Sequence, residues 1–518
     1  MSEFFSVTLE LLCHVYTSLA NQIISHFGPR YAEDDIQETF QERDDFVSHD
    51  QKDTIIEEYE NPRKFIDPSA WRRNMPTWKV SLKNSTYFVF MVTFVVGGLI
   101  GLASLLLTWY IISIVYACDW KSLADPTYPL HLKRRRIIGQ SYQSFILYFW
   151  QPALMCMVFK WQFLKDVNLL TCTLAGASLD LGYRFFLGLF DMYYPPWVPY
   201  PLNVVYIVVV IMTTLSISQK IIQNSSRIQA TIVLAFKLSS QFITGAIVLY
   251  IIWYAFISSF AQKEGFMKLL YLVLLFPIAL FPKVISRQCV LRLDHVNHPG
   301  TSYVLVSTAC GSAIIVYRLL QAEFKSLLAF TALSIGYGVS HLAYELIILL
   351  REHKKEKRWK TLYLESESNS PGHSATCHTS PRAKRLDADL TIQEMIFSCI
   401  SLVLSVGIIF VYGFTHCSVS IEQFQQMTLK ELAAKILLGL FIEFVFNTLT
   451  VILLTRGRNI PVLRVWNCKW KSHLIVCVIT VTMIVTYSMD KLLELVRAQY
   501  VVKNSGKELL VCPSRYCE

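Results

Sequence analysis

The fold class is decided by one stretch, Tyr87–Tyr116, which reads YFVFMVTFVVGGLIGLASLLLTWYIISIVY. It contains no ionisable side chain other than tyrosine, and about 20 apolar residues are enough for a helix to cross a bilayer. A helix is the expected element, because in lipid every backbone N–H and C=O must find its partner within the segment. The stretch therefore predicts a membrane-spanning helix.

The composition extends this interpretation to the whole chain. Of its 518 residues, 53% are hydrophobic and only 17% are charged, whereas soluble proteins are normally about a quarter charged. Further apolar stretches lie near residues 142–164, 168–190, 202–217, 231–260, 266–286, 303–320, 326–350, 391–414, 432–454 and 473–489. The sequence predicts an all-α, polytopic helical membrane protein with about nine to eleven membrane segments.

Differences in composition divide the chain into six parts. Residues 1–28 carry apolar side chains at helical spacing, which predicts an amphipathic helix or a weak first membrane segment. The other parts are a polar, cytoplasmic linker at 29–86, membrane helices at 87–350, a basic, disordered cytoplasmic loop at 351–390, membrane helices at 391–490 and a C-terminal tail at 491–518.

The basic run REHKKEKRWK at 351–360 sets the orientation, because Lys and Arg beside membrane segments favour the cytoplasmic side. Counting spans from this run places 454–472 in the cytoplasm as well. The same count places HLKRRRII, at 131–138, outside, against the charge rule. This conflict predicts either a hairpin bent at Gly97-Gly98 or a following segment that does not span.

Several function classes find no support in the sequence. The formal charge of +10 is carried by loops beside apolar segments, so it does not indicate a nucleic-acid partner. The 13 cysteines are scattered, and no Cys/His spacing typical of a metal site occurs. No GxSxG, HExxH or P-loop motif is present. We expect no enzyme activity and no cofactor; a membrane acyltransferase with His341 as its base is an alternative that no neighbouring motif supports.

Two pairs of ionisable residues inside apolar segments are candidates for a transport path. A charged side chain within the membrane is energetically costly, so its presence there suggests a function. Asp180 and Arg184 stand four positions apart, as do His341 and Glu345, so each pair shares a helix face. Asp180 and Arg184 also fit a simple internal ion pair. His341 fits either a proton relay or a structural histidine bonded to Glu345.

Other polar residues in the apolar segments have simpler interpretations. Glu443 and Asn447 repeat the four-residue spacing and favour interhelical hydrogen bonds. Lys237 and Arg318 stand nearer the ends of their segments, and we expect their side chains to reach the membrane surface.

The segment between the last two apolar runs, LTRGRNIPVLRVWNCKW at 454–470, contains a further pattern. Gly457-Arg458-Asn459 is followed by Arg464, seven residues past the glycine, and by Trp470, thirteen past it. These spacings resemble the vitamin A receptor family, the "stimulated by retinoic acid" receptors that take up retinol. In that family the corresponding residues form a cytoplasmic structural corner.

The resemblance covers roughly residues 200–518. TIQEMIFSCISL at 391–402 is similar to the start of the preceding family helix, and TSYVL at 301–305 to an outer segment where the plasma retinol-binding protein docks. It implies uptake of a small apolar ligand from a carrier protein, with Tyr303 and Ser307 on the docking side. Ser307 and Ala309 stand where the family has glycines.

The expected partners are membrane lipid, the carrier protein and a second copy of the chain, and the plasma membrane is the default location. The basic run at 351–360 is a candidate site for calmodulin or acidic lipid, with a solvated cytoplasmic loop as the alternative. Alternatives from other classes remain open at this point. A proton-coupled or polar-solute transporter would use His341, Glu345, Asp180 and Arg184 as its charge path. Another multi-pass receptor or a lipid scramblase would use the same helices differently.

Overall fold

A computed structural model describes residues 77–116, 129–159, 161–190, 200–222, 228–251, 258–261, 266–291, 293, 300–324, 326–366, 381–416, 421–499, 501–504 and 507–510. Side chains in parts of these ranges lie outside the description. The predictions for residues 1–28 and for most of the linker at 29–86 fall on residues that are not described.

The described chain is almost entirely helical. The helices are α1 Trp78–Ile114, α2 Leu130–Val158, α3 Trp161–Asp166, α4 Leu169–Leu189, α5 Tyr200–Ile222, α6 Ile228–Ile251, α7 Ser258–Ala261, α8 Phe266–Leu291, α9 Val304–Ala322, α10 Leu327–Ser366, α11 Pro381–His416, α12 Ile421–Ile452 and α13 Val462–Gln499. A short antiparallel hairpin follows, with β1 Val501–Asn504 paired to β2 Lys507–Leu510.

Seven of these helices are long and apolar enough to cross a membrane, by length and composition, among the residues described. They are α1, α5, α9, α10, α11, α12 and α13. The structure thus supports a multi-pass helical membrane protein, with seven candidate spans among the described residues, and does not support the nine to eleven segments predicted. The prediction counted every apolar stretch, but charge weakens some of them: α2 begins with His131 and four basic residues, and α4 contains Asp180 and Arg184.

The helix boundaries also change the predicted domains. The loop predicted at 351–390 is helical at both of its ends, because α10 continues to Ser366 and α11 already begins at Pro381. Proline suits the first helical position, where its missing N–H would have no partner in the helix. The last residues of the linker predicted at 29–86 are helical, because α1 starts at Trp78.

Helix α11 lies at the centre of the bundle. It packs against α9, α1, α13 and α12, and α9 packs in turn on α8 and α6. Both α9 and α11 are buried over almost their whole apolar length. By contrast, α10 packs along α12 and meets α9 and α11 mainly through long side chains. The polar residues described below lie in this more open region.

Helix α1 is continuous through Gly97 and Gly98, so the predicted hairpin is wrong. Its stretch Met91–Gly97 is a π-helix with helical residues on both sides. Thirty-seven helical residues extend about 55 Å, so the two ends of α1 lie at opposite ends of the bundle. Trp78 packs under Arg456, 4.7 Å away, whereas Tyr116 packs under Arg136 at 5.3 Å. The basic stretch 131–138 therefore lies at the end opposite Arg456.

Candidate functional site: a buried charge cluster

A group of charged residues fills the region between α8, α10 and α11, where it meets the turn after α12. We call it the charge cluster: Lys283 and Arg287 on α8, His341, Glu345 and Glu352 on α10, Asp387 and Glu394 on α11, and Arg458. No member's side chain is more than 29% exposed. Charges so removed from water require partners of opposite sign.

Arg458 is the member with the most partners. Its guanidinium donates to Glu345 at 2.9 Å, to Glu352 at 3.0 and 3.1 Å and to Asp387 at 2.9 Å. Burial disfavours the charge, but the hydrogen bonds to Glu352 and the nearby carboxylates prevail and raise the pKa of Arg458 above its ordinary value. Charge-assisted bonds of this kind are about twice as strong as neutral ones, so Arg458 joins α10 to α11 at this end.

The residues beside Arg458 explain how the chain turns there. A Cβ added to Gly457 would lie 3.0 Å from Leu349 Cδ2, so a side chain has little room at this position. Asn459 has φ 56°, in the left-handed region that asparagine tolerates better than most residues. The N–H groups of Arg458 and Ile460 both donate to Leu454 O. Together they form a sharp corner between α12 and α13.

The corner continues as a short helical stretch that bends at Lys469, whose φ is −133°. Arg464 lies on this stretch and Trp470 directly follows the bend. The Trp470 side chain is 43% exposed, and Lys471 Nζ lies 5.6 Å from the centre of its ring. Thus Gly457, Arg458 and Asn459 have defined structural contacts, whereas Trp470 faces outward.

The second centre of the charge cluster is Glu394. Its carboxylate forms a salt bridge with Lys283, lies 2.9 Å from His341 Nε2 and accepts a weak hydrogen bond from Cys310 Sγ at 3.5 Å. The hydrogen bond predicted between His341 and Glu345 is therefore replaced: His341 pairs with Glu394, and Glu345 pairs with Arg458. Sequence spacing placed both residues on one helix face but could not reveal partners on another helix.

The formal charge of the charge cluster depends on one proton. Lys283, Arg287 and Arg458 contribute three positive charges, and Glu345, Glu352, Asp387 and Glu394 contribute four negative ones. The sum is −1 with a neutral His341 and zero with a protonated one.

Deeper in the bundle, Arg318 forms a separate buried group. Its side chain is 1% exposed and forms a salt bridge with Glu443 on α12. It donates to Gln321 at 2.6 Å and Ser398 at 3.2 Å, and its guanidinium lies 4.4 Å from the ring centre of Tyr337. The expectation that Arg318 reaches the membrane surface is wrong, because these partners hold the charge inside.

Tyr303 and Ser307, predicted on the outer docking side, are buried. Both residues have 0% exposure. The Tyr303 hydroxyl shares a 2.8 Å hydrogen bond with Ser472, its ring stacks on His473 at 4.4 Å, and Ser307 donates to Val304 O. Neither side chain offers surface to a partner in this structure, and Tyr303 lies beside the corner rather than opposite it.

His473 itself is held by polar contacts from α11. Its Nε2 lies 3.1 Å from Asp389 Oδ1 and its Nδ1 lies 2.9 Å from Gln393 Nε2. Because the Gln393 amide nitrogen can only donate, Nδ1 is the acceptor and the ring proton sits on Nε2, facing Asp389. Arg385 lies 3.3 Å from the same carboxylate. These contacts fix the start of α13 against α11.

Asp180 and Arg184 form the internal ion pair considered above. Arg184 Nε donates to Asp180 Oδ1 at 2.7 Å, and the Tyr148 hydroxyl donates to the other oxygen at 3.3 Å. Both residues lie on α4, which does not pack against α10 or α11 in the described chain. The structure therefore brings His341, Glu345 and Arg458 together but leaves this pair in a different part of the bundle.

Five members of the charge cluster were missed by sequence reasoning: Lys283, Arg287, Glu352, Asp387 and Glu394. A signal for the acidic pair was present, since Asp387 and Glu394 are seven positions apart and fall on one face of a helix. The boundary predicted at residue 390 instead assigns Asp387 to the polar loop and Glu394 to the following helix, so the two carboxylates were not assigned to one helix face. Lys283 and Arg287 carry the same kind of signal, a four-residue spacing late in an apolar run.

Comparisons with known proteins leave the chain without an assigned family. No protein-family model matches it, no curated protein matches it, and no solved structure matches it. Among the described residues, no group of three or more His, Cys, Asp or Glu side chains is arranged to hold a metal ion.

Proposed function

We propose that the protein is a multi-pass receptor or transporter for a small apolar ligand, with retinol as the first ligand to test. The observation that carries the proposal is the corner at Gly457, Arg458 and Asn459. Each residue meets a different requirement there: close packing against Leu349, three carboxylate partners, and a left-handed backbone. The Gly-Arg-Asn triplet, which carries the resemblance to the vitamin A receptor family, thus has defined structural roles in this chain, and this supports the proposal.

The ion pairs also favour an apolar ligand over a polar one. Every charged member of the charge cluster has a partner of opposite sign within it, among the described residues. A polar solute bound by charge would have to displace such a pair, at a cost of several kcal/mol. An apolar ligand gains about 25 cal/mol per Å² of buried apolar surface without disturbing the pairs.

The carrier protein cannot dock on Tyr303 and Ser307, the residues that the family resemblance implies. Because Tyr303 and Ser307 are buried, a carrier protein would have to dock on other residues. The carrier protein, calmodulin, a homodimer and the default location in the plasma membrane all stay predictions from the sequence.

Retinol uptake by cells expressing the full chain tests the proposal. Cells would receive labelled retinol either free or on a retinol-binding carrier, with surface expression measured in parallel. We expect more cell-associated retinol than in vector controls. Unchanged uptake by well-expressed protein in both formats would contradict the proposal.

A second candidate, a proton-coupled transporter, is favoured by the contact between His341, Glu394 and Lys283. His341 and Lys283 both contact Glu394, and chains of ionisable side chains inside a membrane are typical of proton paths. Proteoliposomes with an internal pH-sensitive dye would report proton flux. Flux that H341Q abolishes, together with no retinol uptake by the wild-type chain, would favour this candidate over the first.

A further inference from the structure

Four lysines at the corner end of the bundle are exposed to solvent. Lys79 and Lys83 lie on the first turns of α1, Lys354 lies on α10, and Lys471 follows the bend in α13. Among the residues that the structure describes, none forms a salt bridge with them. We call these four lysines the basic surface.

Contacts at the turn after α12 place the basic surface at one end of the bundle. Trp78, which precedes Lys79, lies 4.7 Å below Arg456. Glu352, two positions before Lys354, bonds Arg458 in the same turn. The start of α1 and the far part of α10 therefore meet at the corner, where α13 also begins.

The carboxylates nearest to the corner do not neutralise the basic surface. Glu345, Glu352 and Asp387 all bond Arg458, and their side chains are largely buried. The charge of the four lysines is thus not balanced within the described bundle. A surface of one sign attracts a partner of the opposite sign.

Apolar side chains lie beside the lysines of α1. Trp78 and Leu82 are 60% and 49% exposed, and they are four positions apart on one helix face. The uncharged stretch of α1 starts only at Tyr87, so Leu82 and Trp78 lie about 8 and 14 Å beyond it along the helix axis. Acyl chains do not reach that far, because the headgroup layer separates these side chains from the hydrocarbon.

The sequence contains a segment of complementary character shortly before α1. Residues 33–60 contain twelve Asp and Glu residues and only Arg43 and Lys52 as basic ones, a net charge of −10. The whole chain carries +10, so the rest of it carries +20. Apolar residues such as Phe40 and Phe46 are interleaved with the acidic ones. The segment lies outside the described part of the chain.

The connection to α1 keeps this acidic segment at the corner end. Residues 61–77 join it to Trp78 and reach at most about 60 Å when fully extended. Helix α1 is itself about 55 Å long, and the membrane lies between its two ends. A tether of this length gives an effective concentration in the millimolar range, at which weak surface ion pairs are sufficient for docking.

We propose that the acidic segment, residues 33–60, docks on the basic surface of its own chain. Its carboxylates pair with the four lysines, and its apolar side chains cover Trp78 and Leu82. The docked segment competes with other anionic partners of this end, including acidic lipid at the basic run 351–360. The inference is independent of the proposed function, because the contact involves neither a transported ligand nor the charge cluster.

Zero-length cross-linking of the purified full chain in phosphatidylcholine nanodiscs tests the docking. A carbodiimide joins carboxylates to lysine amines in direct contact, and mass spectrometry identifies the linked peptides. We expect links from residues 33–60 to Lys354 and Lys471, which are distant in sequence, and their loss in about 0.5 M NaCl, which screens surface ion pairs. Links to Lys430 instead, which is exposed at the opposite end of α12, would overturn the proposal, as would links that persist in salt.

Two further arms identify the occupant. In a mixture of unlabelled and nitrogen-15-labelled chains, the expected links join peptides of one isotope only. Links between the two isotopes would assign the basic surface to a second copy of the chain and contradict the proposal. Adding phosphatidylserine to the nanodiscs should leave the yield within about twofold, and loss of the links would make lipid headgroups the occupant instead.

Charge variants of the segment supply a second readout, the acetylation rate of each lysine. Changing its twelve Asp and Glu residues to Asn and Gln should raise the rate at Lys471 about fivefold, since millimolar effective concentration gives high occupancy even for weak contacts. The rate at Lys430 should not change. Interchanging Asp and Glu keeps the charge and should keep the protection. Equal rates at Lys471 in the neutral variant and the wild type would refute docking, and thermal unfolding in parallel checks that both variants are folded.

Discussion

The hydroxyl of Tyr303 and the hydroxyl of Ser472 share a 2.8 Å hydrogen bond across 169 positions of sequence. This contact places the start of α9 beside the corner that leads into α13. Lys469 Nζ also reaches Gly300 O at 3.4 Å. The segment 301–305 and the corner therefore lie at one end of the bundle, and a topology with Tyr303 outside and Arg458 in the cytoplasm cannot hold.

Replacing Arg458 should be far more destabilising than replacing its neighbour Arg456. R458A leaves Glu345, Glu352 and Asp387 without their shared cation, and a broken buried pair typically costs about 3–5 kcal/mol. R456A removes a cation–π contact with Trp78, for which about 0.5–1 kcal/mol is typical at exposed sites. Thermal unfolding of the purified chains in detergent would compare the two. Equal losses in Tm would show that Arg458 does not hold α10 to α11.

Asn459 should tolerate glycine but not valine. Its φ of 56° suits glycine, whereas a side chain branched at Cβ is strained there by about 1–2 kcal/mol or more. N459V should therefore lower the Tm, and N459G should leave it near the wild-type value. N467V, at an exposed position on the short helical stretch after the corner, is the control. A harmless N459V would mean that the left-handed turn is not required.

Arg318 and Glu443 should be strongly coupled in stability. R318M and E443M each leave one buried charge without its partner, and each should cost about 3–5 kcal/mol. The double variant removes both charges from the interior, so it should recover most of this loss. Tm values for the four members of this mutant cycle give the coupling. Additive losses would indicate that the two side chains do not act as a pair.

Cys468 should react from the cytoplasmic side of the membrane. It is exposed and belongs to the corner end of the bundle, which the basic run at 351–360 assigns to the cytoplasm. A membrane-impermeant maleimide should label it only after permeabilisation, with C468S as the control. A cysteine introduced by K430C, at the opposite end of α12, should react in intact cells. Labelling of both from one side would overturn this arrangement.

The sequence predicted some elements of this fold because they depend on local composition. Tyr87–Tyr116 had to form a helix in lipid, and α1 contains it. Asp180 and Arg184 were expected to pair because they are one helical turn apart, and they do. Apolar content alone also predicted α2 and α4 as spans, because it does not show whether a helix tolerates its charges; neither is among the candidate spans of the described residues.

The partners of His341, Glu345, Arg318 and Tyr303 could not be predicted in this way. Each partner depends on which helix lies alongside. His341 and Glu394 are 53 positions apart in the sequence, and Tyr303 and Ser472 are 169 positions apart. By itself the sequence determined a helical membrane protein with a basic end, because hydropathy and charge act within one segment. Only the tertiary structure decided that the charges of four segments meet in one cluster, because an ion pair forms between whichever side chains packing brings together.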